Sequence, residues 1–234
     1  MQLPYLSSSL LVWADPAEKF LNKNSANKVL SVLNRVNGSP IRQLIESRKP
    51  LWSSSAVNGT PGLVFTGGQR LTLNLPPHAV SSKPLGITFA SQFDVVTGNI
   101  ALEVGSSTNT SLAGLGIGFD TGSDLVEPYL FADDSTGGTA NFENTLNDKV
   151  HVWSVLFDLH SIVTRRDGEV INETAMPDVS DFHFNSLTLG DVNFDSLNPL
   201  EHFYFTGNIG TVLLYQGDKI HSAAEEYVMK SAGL

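Results

Sequence analysis

The chain has 234 residues, of which 41% are hydrophobic and 16% are charged, and its formal net charge is −10. This apolar content excludes a disordered protein, and the length suits a single large core. The acidic balance argues against nucleic acids and anionic membranes as partners, because the basic pairs Arg48-Lys49 and Arg165-Arg166 are isolated in the sequence. The absence of cysteine excludes disulfides, thiolate metal sites and cysteine nucleophiles.

The N-terminal stretch MQLPYLSSS precedes the first predicted strand. It lacks the basic region of a signal peptide, and Pro4 and Asp15 interrupt its apolar character, so we predict no signal peptide. Residues 1–9 are predicted as an arm or tether onto a neighbouring subunit, with a disordered end as the alternative. Residues 10–234 are predicted as one domain, and no run of them approaches the length of a membrane span.

Alternation of apolar and polar residues predicts many short strands along the chain. GITFASQF places Ile87, Phe89 and Phe93 on one face, and VWSVLFDL does the same with Trp153 and Phe157. The opposite face of VWSVLFDL is also fairly apolar, which is typical of a central strand. Polar clusters such as DTGSD and DDSTGG separate the runs and predict tight turns.

The sharpest local signal is IVTRRDGEVI, in which Asp167-Gly168 separates the β-branched pair Ile162-Val163 from the pair Val170-Ile171. Asp-Gly favours a two-residue type I′ turn, whose twist matches that of the flanking strands. The sequence therefore predicts a hairpin with its tip at these two residues.

The chain ends in FTGNIGTVLLYQGDKIHSAAEEYVMKSAGL, a glycine-punctuated apolar strand followed by a short amphipathic helix. Ser222 and Glu225 have the spacing of a capping box at the start of this helix, and Gly233 follows its end. Many short strands, frequent turns and little helix predict a β-sandwich. Periodicity alone suits an immunoglobulin-like or a viral capsid sandwich equally well.

Several stretches together resemble the concanavalin A-like, laminin G-type (LamG-type) jelly-roll family. LLVWADPAEKF resembles the opening strand of that family, and VNGTPGLVFTGGQRLTL resembles an inner turn and strand. HVWSVLFD with IVTRRDGEVI matches a long strand and hairpin, and FTGNIGTVLLYQGDKIHSAAEEY matches the closing strand and helix. The resemblance implies an all-β, concanavalin A-like (LamG-type) jelly-roll β-sandwich with a short C-terminal helix. It also implies that the first and last strands are neighbours. Gly207 and Gly210 would permit close backbone approach or a bulge there.

The sequence gives little support for catalysis. A retaining glycosidase needs two carboxylates about 5–5.5 Å apart, and the resemblance implies a Glu-x-Asp-x-x-Glu strand to carry them. No such strand occurs, Glu103 stands alone on its strand, and no Gly-x-Ser-x-Gly elbow is present. Asp158 and His160 would share a face of a predicted strand, as a polar pair at the sheet margin or, less well, as metal ligands. We therefore predict that the protein is not an enzyme.

The resemblance implies a calcium ion near the rim of the sandwich. Calcium takes several oxygen ligands from carboxylates and carbonyls in loops. The candidate ligands are Asp120 and Asp124 in DTGSD, and Asp133 and Asp134 in ADDSTGG. Such Asp/Gly turns also form without metal, so this alternative stays open.

Glycan binding is the broad theme of the family and usually uses an exposed aromatic residue. Trp13 and Trp153 lie in apolar strands and are predicted to be core residues. Trp52 in KPLWSSS and Tyr129 in EPYLF are the candidate glycan-binding residues, with burial as the alternative for each.

Domains of this kind occur in bacterial surface proteins and in the virions of tailed phages. The predicted lack of a signal peptide favours a non-enzymatic virion surface protein, assembled in the host cytoplasm, which docks on a protein lattice as a head decoration or tail-associated module. Its expected partners are capsid or tail proteins or further copies of itself, with surface glycans as additional ligands. The alternative is a stand-alone carbohydrate-binding lectin or adhesin, and a polysaccharide-cleaving glycosidase is the least favoured function.

Overall fold

The computed structural model describes residues 9–79, 84–93, 99–105, 114–120, 125–131, 137–139, 142–143, 149–158, 160–175, 183–191, 204–217 and 221–234. The strands are, in chain order, β1 (Leu10–Ala14), β2 (Leu21–Lys23), β3 (Val29–Leu33), β4 (Pro40–Arg42), β5 (Leu51–Val57), β6 (Thr60–Thr66), β7 (Leu71–Ala79), β8 (Leu85–Phe93), β9 (Asn99–Gly105), β10 (Gly114–Asp120), β11 (Leu125–Phe131), β12 (Gly137–Thr139), β13 (Phe142–Glu143), β14 (His151–Phe157), β15 (Ser161–Arg166), β16 (Glu169–Ala175), β17 (His183–Leu189) and β18 (Thr206–Gln216). The helices are α1 (His221–Ser231) and two short 3-10 helices, Glu18–Phe20 and Glu46–Arg48. In these ranges, no helix combines the length and the apolar character needed to cross a membrane.

Two antiparallel sheets form a sandwich around the main core. Sheet A has the order β16-β15-β14-β8-β18-β6-β5, and β1 also pairs with β18. Sheet B has the order β12-β11-β10-β9-β17-β7-β4-β3-β2, and β13 also pairs with β11. Apolar residues that alternate along the strands fill the space between the sheets, including Phe89, Trp153 and Leu187. The predicted all-β sandwich is therefore confirmed.

The closing strand β18 holds sheet A together. It pairs with β8 along most of its length, with β6 near its start and with β1 near its end. Its register shifts between Ile209 and Val212, around Gly210. A Cβ atom on Gly207 would lie only 2.4 Å from the carbonyl oxygen of Gln92, so this position requires glycine. The predicted pairing of the first and last strands is confirmed. Close backbone approach is confirmed at Gly207, and the register shift around Gly210 corresponds to the predicted alternative of a bulge.

A second core lies on the outer face of sheet A, where helix α1 covers β8, β14 and β18. Ala224 and Val228 of the helix pack there with Val152, Leu213 and Tyr215 of the strands. Because β14 and β18 are covered on both faces, both read as nearly continuous apolar runs, and the prediction that VWSVLFDL is an inner strand is confirmed.

The start of α1 differs in detail from the sequence prediction. The helix begins at His221, one residue before the predicted N-cap Ser222. The carboxylate of Glu225 accepts a hydrogen bond from Nε of Arg165 on β15 at 2.6 Å, a contact across 60 residues of chain. Ser222 lies inside the helix and is not its N-cap, and Glu225 instead anchors the helix to sheet A.

The turn after β14 overturns one expectation. The strand ends at Phe157, so Asp158 and His160 do not share a strand face, and that prediction is wrong. Oδ1 of Asp158 accepts hydrogen bonds from the backbone N–H groups of His160 at 2.8 Å and Ser161 at 2.6 Å. A short polar side chain that satisfies local backbone donors favours a turn over a longer strand, and Asp158 is therefore a turn-capping residue.

The predicted hairpin between β15 and β16 is confirmed. Arg166 pairs with Glu169, and the two residues between them, Asp167 and Gly168, have φ angles of 52° and 89°. Oδ2 of Asp167 lies 2.6 Å from Nδ1 of His151, and its Oδ1 accepts a hydrogen bond from a β14 backbone N–H. Burial raises the pKa of Asp167, but these hydrogen bonds outweigh burial and hold the pKa below its ordinary value of 3.8.

Asp167→Asn is expected to preserve the hairpin and to remove part of its sensitivity to acid, because Asn tolerates positive φ but has no carboxylate. A carboxylate with a lowered folded-state pKa stabilises the fold above its unfolded pKa, and this stabilisation is lost as the pH falls through the folded pKa. Urea unfolding from neutral pH into this acidic range should therefore show a steeper loss of stability for wild type than for Asp167→Asn. Asp167→Ala serves for comparison, because it removes the carboxylate and also places a residue that disfavours positive φ in the turn. Equal pH slopes for wild type and Asp167→Asn would contradict the assignment.

Candidate functional site

Trp52 is the one predicted glycan residue whose side chain the structure describes. Its indole Nε1 donates a hydrogen bond to the carbonyl oxygen of Pro16 at 2.8 Å, and Nζ of Lys23 lies 4.2 Å from a ring centroid. The side chain is half-buried and packs against the main core. Trp52 therefore ties β5 to the chain around β2, and part of its surface stays accessible.

The other predicted site residues lie wholly or partly outside the described residues. The backbones of Tyr129 and Asp120 lie in β11 and β10, but their side chains are outside the described part. Asp124, Asp133 and Asp134 are outside it entirely. Among the side chains that are described, no three His, Asp or Glu residues are grouped so as to hold a metal ion. The calcium prediction therefore stays a prediction.

A row of polar and small residues crosses the outer face of sheet B. Strand register places its members opposite one another in the order Arg42, Thr72, Thr188, Glu103 and Gly116, and the backbone of Tyr129 takes the next position. Their sequence neighbours Leu73, Leu102 and Ile117 belong to the main core. Because side chains alternate between the two faces of a strand, the row lies on the face away from the core.

Among the side chains that the structure describes, the row is accessible at its Arg42 end. Thr188 and Glu103 are 0% and 4% exposed, whereas Thr72 is half-buried and Arg42 is exposed. The hydroxyl oxygens of Thr72 and Thr188 are 3.4 Å apart, so Thr72 marks the boundary between the buried and the open part. At β4 and β7 the described part of the row is therefore open to a ligand from solution.

An open depression of about 600 Å³ lies at this accessible end. We call it the β4–β7 depression. It is lined by Ser39, Pro40, Arg42, Gln43, Leu44, Ile45, Arg70, Thr72, Leu73 and Asn74. None of these described lining residues is a carboxylic acid, so they do not supply the paired carboxylates of glycosidase chemistry.

Gln43 sets the shape of the depression. Its Nε2 donates a hydrogen bond to the carbonyl oxygen of Arg70 at 3.4 Å, and its Oε1 accepts one from the backbone N–H of Ile45 at 2.9 Å. The backbone N–H of Arg70 donates to the carbonyl oxygen of Arg48 at 2.9 Å. These bonds fix the segment after β4 against the segment before β7, which explains why Gln43 is 8% exposed.

The two arginines of the depression differ in electrostatic environment. Nη1 of Arg70 lies 3.8 Å from Oδ2 of Asp191, which is fully buried, so the charge of Arg70 is balanced within the protein. Arg42 is exposed, and its guanidinium makes no hydrogen bond or ion pair with the described residues. The exposed amide of Asn74 likewise has no such partner in those ranges. Arg42 and Asn74 therefore offer hydrogen-bonding groups to a ligand.

Sequence reasoning missed this site. The available signal was IRQLIESRK, in which the apolar pair Leu44-Ile45 lies among basic residues although no strand period places it in the core. That pattern does not show which strand lies opposite. The approach of β7 to β4, which creates the depression, is a long-range contact.

The fold is shared with known binding domains. No protein-family model matches the chain, and no curated protein sequence matches it. Among solved structures, the binding domain of botulinum neurotoxin serotype C1 has a TM-score of 0.59 at 10% identity, covering 98% of this chain and 53% of that chain. The serotype D ligand-binding domain, solved in complex with N-acetylneuraminic acid, has a TM-score of 0.58 at 8% identity, covering 99% and 52%. Domains LG4-5 of the mouse laminin α1 chain have a TM-score of 0.50 at 15% identity, covering 78% and 48%.

These similarities establish the fold. The predicted concanavalin A-like, laminin G-like jelly-roll sandwich is confirmed. The chain spans about half the length of the structures that it matches. At these identities the likeness concerns the fold alone.

Proposed function

We propose that the protein is a non-enzymatic binding module that recognises glycans through the β4–β7 depression. The observation that carries this proposal is the pair Arg42 and Asn74, whose exposed polar groups have no partner among the described residues and line an open depression. The described residues of its lining include no carboxylic acid. The guanidinium donates hydrogen bonds, the amide both donates and accepts them, and a sugar hydroxyl can take either role. The exposed side chains of Leu44 and Ile45 supply apolar contact at the edge.

Two structural neighbours support a binding role. The serotype D neurotoxin domain was solved with N-acetylneuraminic acid, and the serotype DC binding domain was solved with rat synaptotagmin II, a protein. The same architecture therefore occurs in domains that bind sugars and proteins. The chain matches only about half of each of these structures. The kind of ligand is therefore inferred from the residues that line the β4–β7 depression.

The aromatic and calcium predictions extend this proposal. Tyr129 stands in the same register row as Arg42, five strands away, which corresponds to about 24 Å at the usual strand spacing. A ligand that reached from the depression to Tyr129 would be an extended oligosaccharide. Trp52 would contact sugar through the accessible part of its ring, and calcium would bind at Asp120, Asp124, Asp133 and Asp134.

Arg42→Ala is expected to lower glycan retention on an array by about tenfold or more, because a hydrogen bond to a charged group contributes about 1.5–3 kcal/mol. Arg48→Ala is the matched control, since Arg48 is nearby but does not line the depression. Equal retention by wild type and Arg42→Ala would contradict the proposed site.

The same array tests the two other predicted contacts. Retention should differ between calcium and EDTA if calcium takes part, and equal retention in both would contradict the calcium proposal. Comparison of wild type with Trp52→Ala tests the contact of Trp52 with sugar.

A second candidate function is docking on a virion protein lattice as a head decoration or tail-associated module. It is favoured by β16, which within the described ranges pairs only with β15 and exposes 53% of Val170. A sheet edge offers unpaired backbone groups to another chain, and residues 1–9 would act as a tether. An empty glycan array, together with sedimentation of the protein with phage particles, would support this function. Strong glycan retention by the isolated monomer would contradict it.

A further inference from the structure

Two large aliphatic side chains are exposed side by side at the edge of the β4–β7 depression. Leu44 is 77% exposed and Ile45 is 50% exposed, and no other exposed large hydrophobic residues of the described ranges are adjacent in sequence. The hydrogen bond from the backbone of Ile45 to Gln43 holds this pair in place. Both aliphatic side chains therefore face solvent, and neither belongs to a hydrophobic core of the fold.

Basic residues from three segments of the chain lie around this pair. Arg42 and Arg48 flank it in the chain, and β7 brings Arg70 to the same depression. Glu46 lies 2.5 Å from Nζ of Lys49 and 3.7 Å from Nζ of Lys28. We call the segment Arg42–Lys49, with Lys28 and Arg70, the 42–49 rim. It holds five cationic side chains against the acids Glu46 and Asp191.

The net charge of −10 does not decide how this rim behaves. At physiological ionic strength, charges are largely screened beyond about 8 Å, so a surface in contact with the rim responds mainly to the residues of the rim. Each basic side chain close to an anionic lipid surface contributes separately to the attraction. Among the described residues the local charge balance is positive, which is the opposite of the sign that the composition alone predicts for the surface.

We propose that the 42–49 rim docks the protein peripherally on an anionic lipid surface. Leu44 and Ile45 enter the boundary between headgroups and acyl chains, and Arg42 and Arg48 lie against the headgroup phosphates. An anionic lipid surface offers a partner both to the aliphatic pair and to the basic side chains, because an anionic headgroup layer covers its apolar interior. A soluble anionic polymer would leave the aliphatic pair without a partner, and protein interfaces more often centre on aromatic anchors, which the rim lacks. This docking goes beyond the proposed glycan recognition and requires no sugar.

Vesicle co-sedimentation tests the proposal. Wild type is expected to sediment with vesicles of phosphatidylcholine that contain about a third phosphatidylserine, and to stay in solution with phosphatidylcholine alone, as expected where basic side chains supply part of the binding. The Leu44→Ser/Ile45→Ser double variant should bind the anionic vesicles about tenfold more weakly, because it loses the buried apolar area. Arg42→Ala should weaken binding and reduce its dependence on salt. Val170→Ser is the matched control, since it removes a comparably exposed aliphatic side chain from β16 and should bind as wild type does.

Three results would overturn the proposal. The first is no sedimentation of wild type with either kind of vesicle, and the second is equal sedimentation with both. The third is binding that Arg42→Ala abolishes but the double serine variant retains, which would identify an acidic protein or another anionic polymer as the occupant. Thermal melting of each variant verifies folding, and all the substituted side chains are exposed. The vesicles carry no carbohydrate, so failure here leaves the glycan proposal intact, and an empty glycan array leaves this one intact.

Discussion

Gly86→Ala is expected to lower the free energy of unfolding by about 3 kcal/mol, because overpacking a well-filled core forces side chains and backbone to shift. A Cβ atom at this position on β8 would lie 2.1 Å from Cε2 of Tyr215 and 2.3 Å from its Cζ. Tyr215 has no room to retreat, since it is fully buried beneath α1 and its hydroxyl lies 3.1 Å from Oγ1 of Thr88. The lower entropy of an unfolded chain with Ala offsets only about 0.4–1 kcal/mol of this loss.

Urea unfolding measures this effect, and Gly210→Ala is its control. A Cβ atom on Gly210 would have its nearest contact at 3.2 Å, with Cβ of Ala90, so a small shift accommodates it. Adding Tyr215→Leu to Gly86→Ala should cost less than the sum of the two single changes, because the second change removes the clash. A loss for Gly86→Ala no greater than that for Gly210→Ala would show that the ring of Tyr215 does not lie against Gly86.

Glu225→Ala is expected to destabilise the protein by about 2–3 kcal/mol. Its carboxylate, 5% exposed, pairs with Nε of Arg165 at 2.6 Å, and Arg165 is 23% exposed. Removing one partner of a buried pair leaves an uncompensated charge and costs about 3–5 kcal/mol, and the partial exposure of Arg165 reduces that cost. Since the pair joins α1 to β15, the helix should also become more susceptible to protease.

Glu226→Ala provides a matched control, because it removes the same charge from the next position of α1. Glu226 is 69% exposed and pairs only with Lys230 among the described residues, so its loss should change little. Urea unfolding and limited proteolysis of the two variants measure the difference. Indistinguishable behaviour would mean that the Arg165–Glu225 pair does not hold the helix.

The helix also bears on where ligands bind. Because α1 covers β8, β14 and β18, the centre of the outer face of sheet A is occupied by the protein itself. The centre of the outer face of sheet B is also covered, since Thr188 and Glu103 are buried there. Among the described side chains that face opens to solvent at Arg42 and Thr72, which line the β4–β7 depression, and both proposals of binding therefore concern this depression and its rim.

Much of the fold was predictable because its signals are local. Alternation along VWSVLFDL reports which faces of β14 are buried, and the positive φ angles that Asp167-Gly168 tolerates predict the turn that joins β15 to β16. The error at Asp158 arose because strand periodicity does not mark where a side chain begins to cap a turn.

The binding site and the helix anchor were decided by the tertiary structure. Arg42 and Thr72 are 30 positions apart, and Arg165 and Glu225 are 60 apart, yet strand register and helix packing bring each pair together. The amino-acid sequence by itself determined the strands, the hairpin and the apolar closing strand, because each depends on residues within a few positions of one another. Long-range pairing decides which polar residues share a surface. It also brings several cations to one rim of an acidic protein, and no local pattern of the sequence encodes either result.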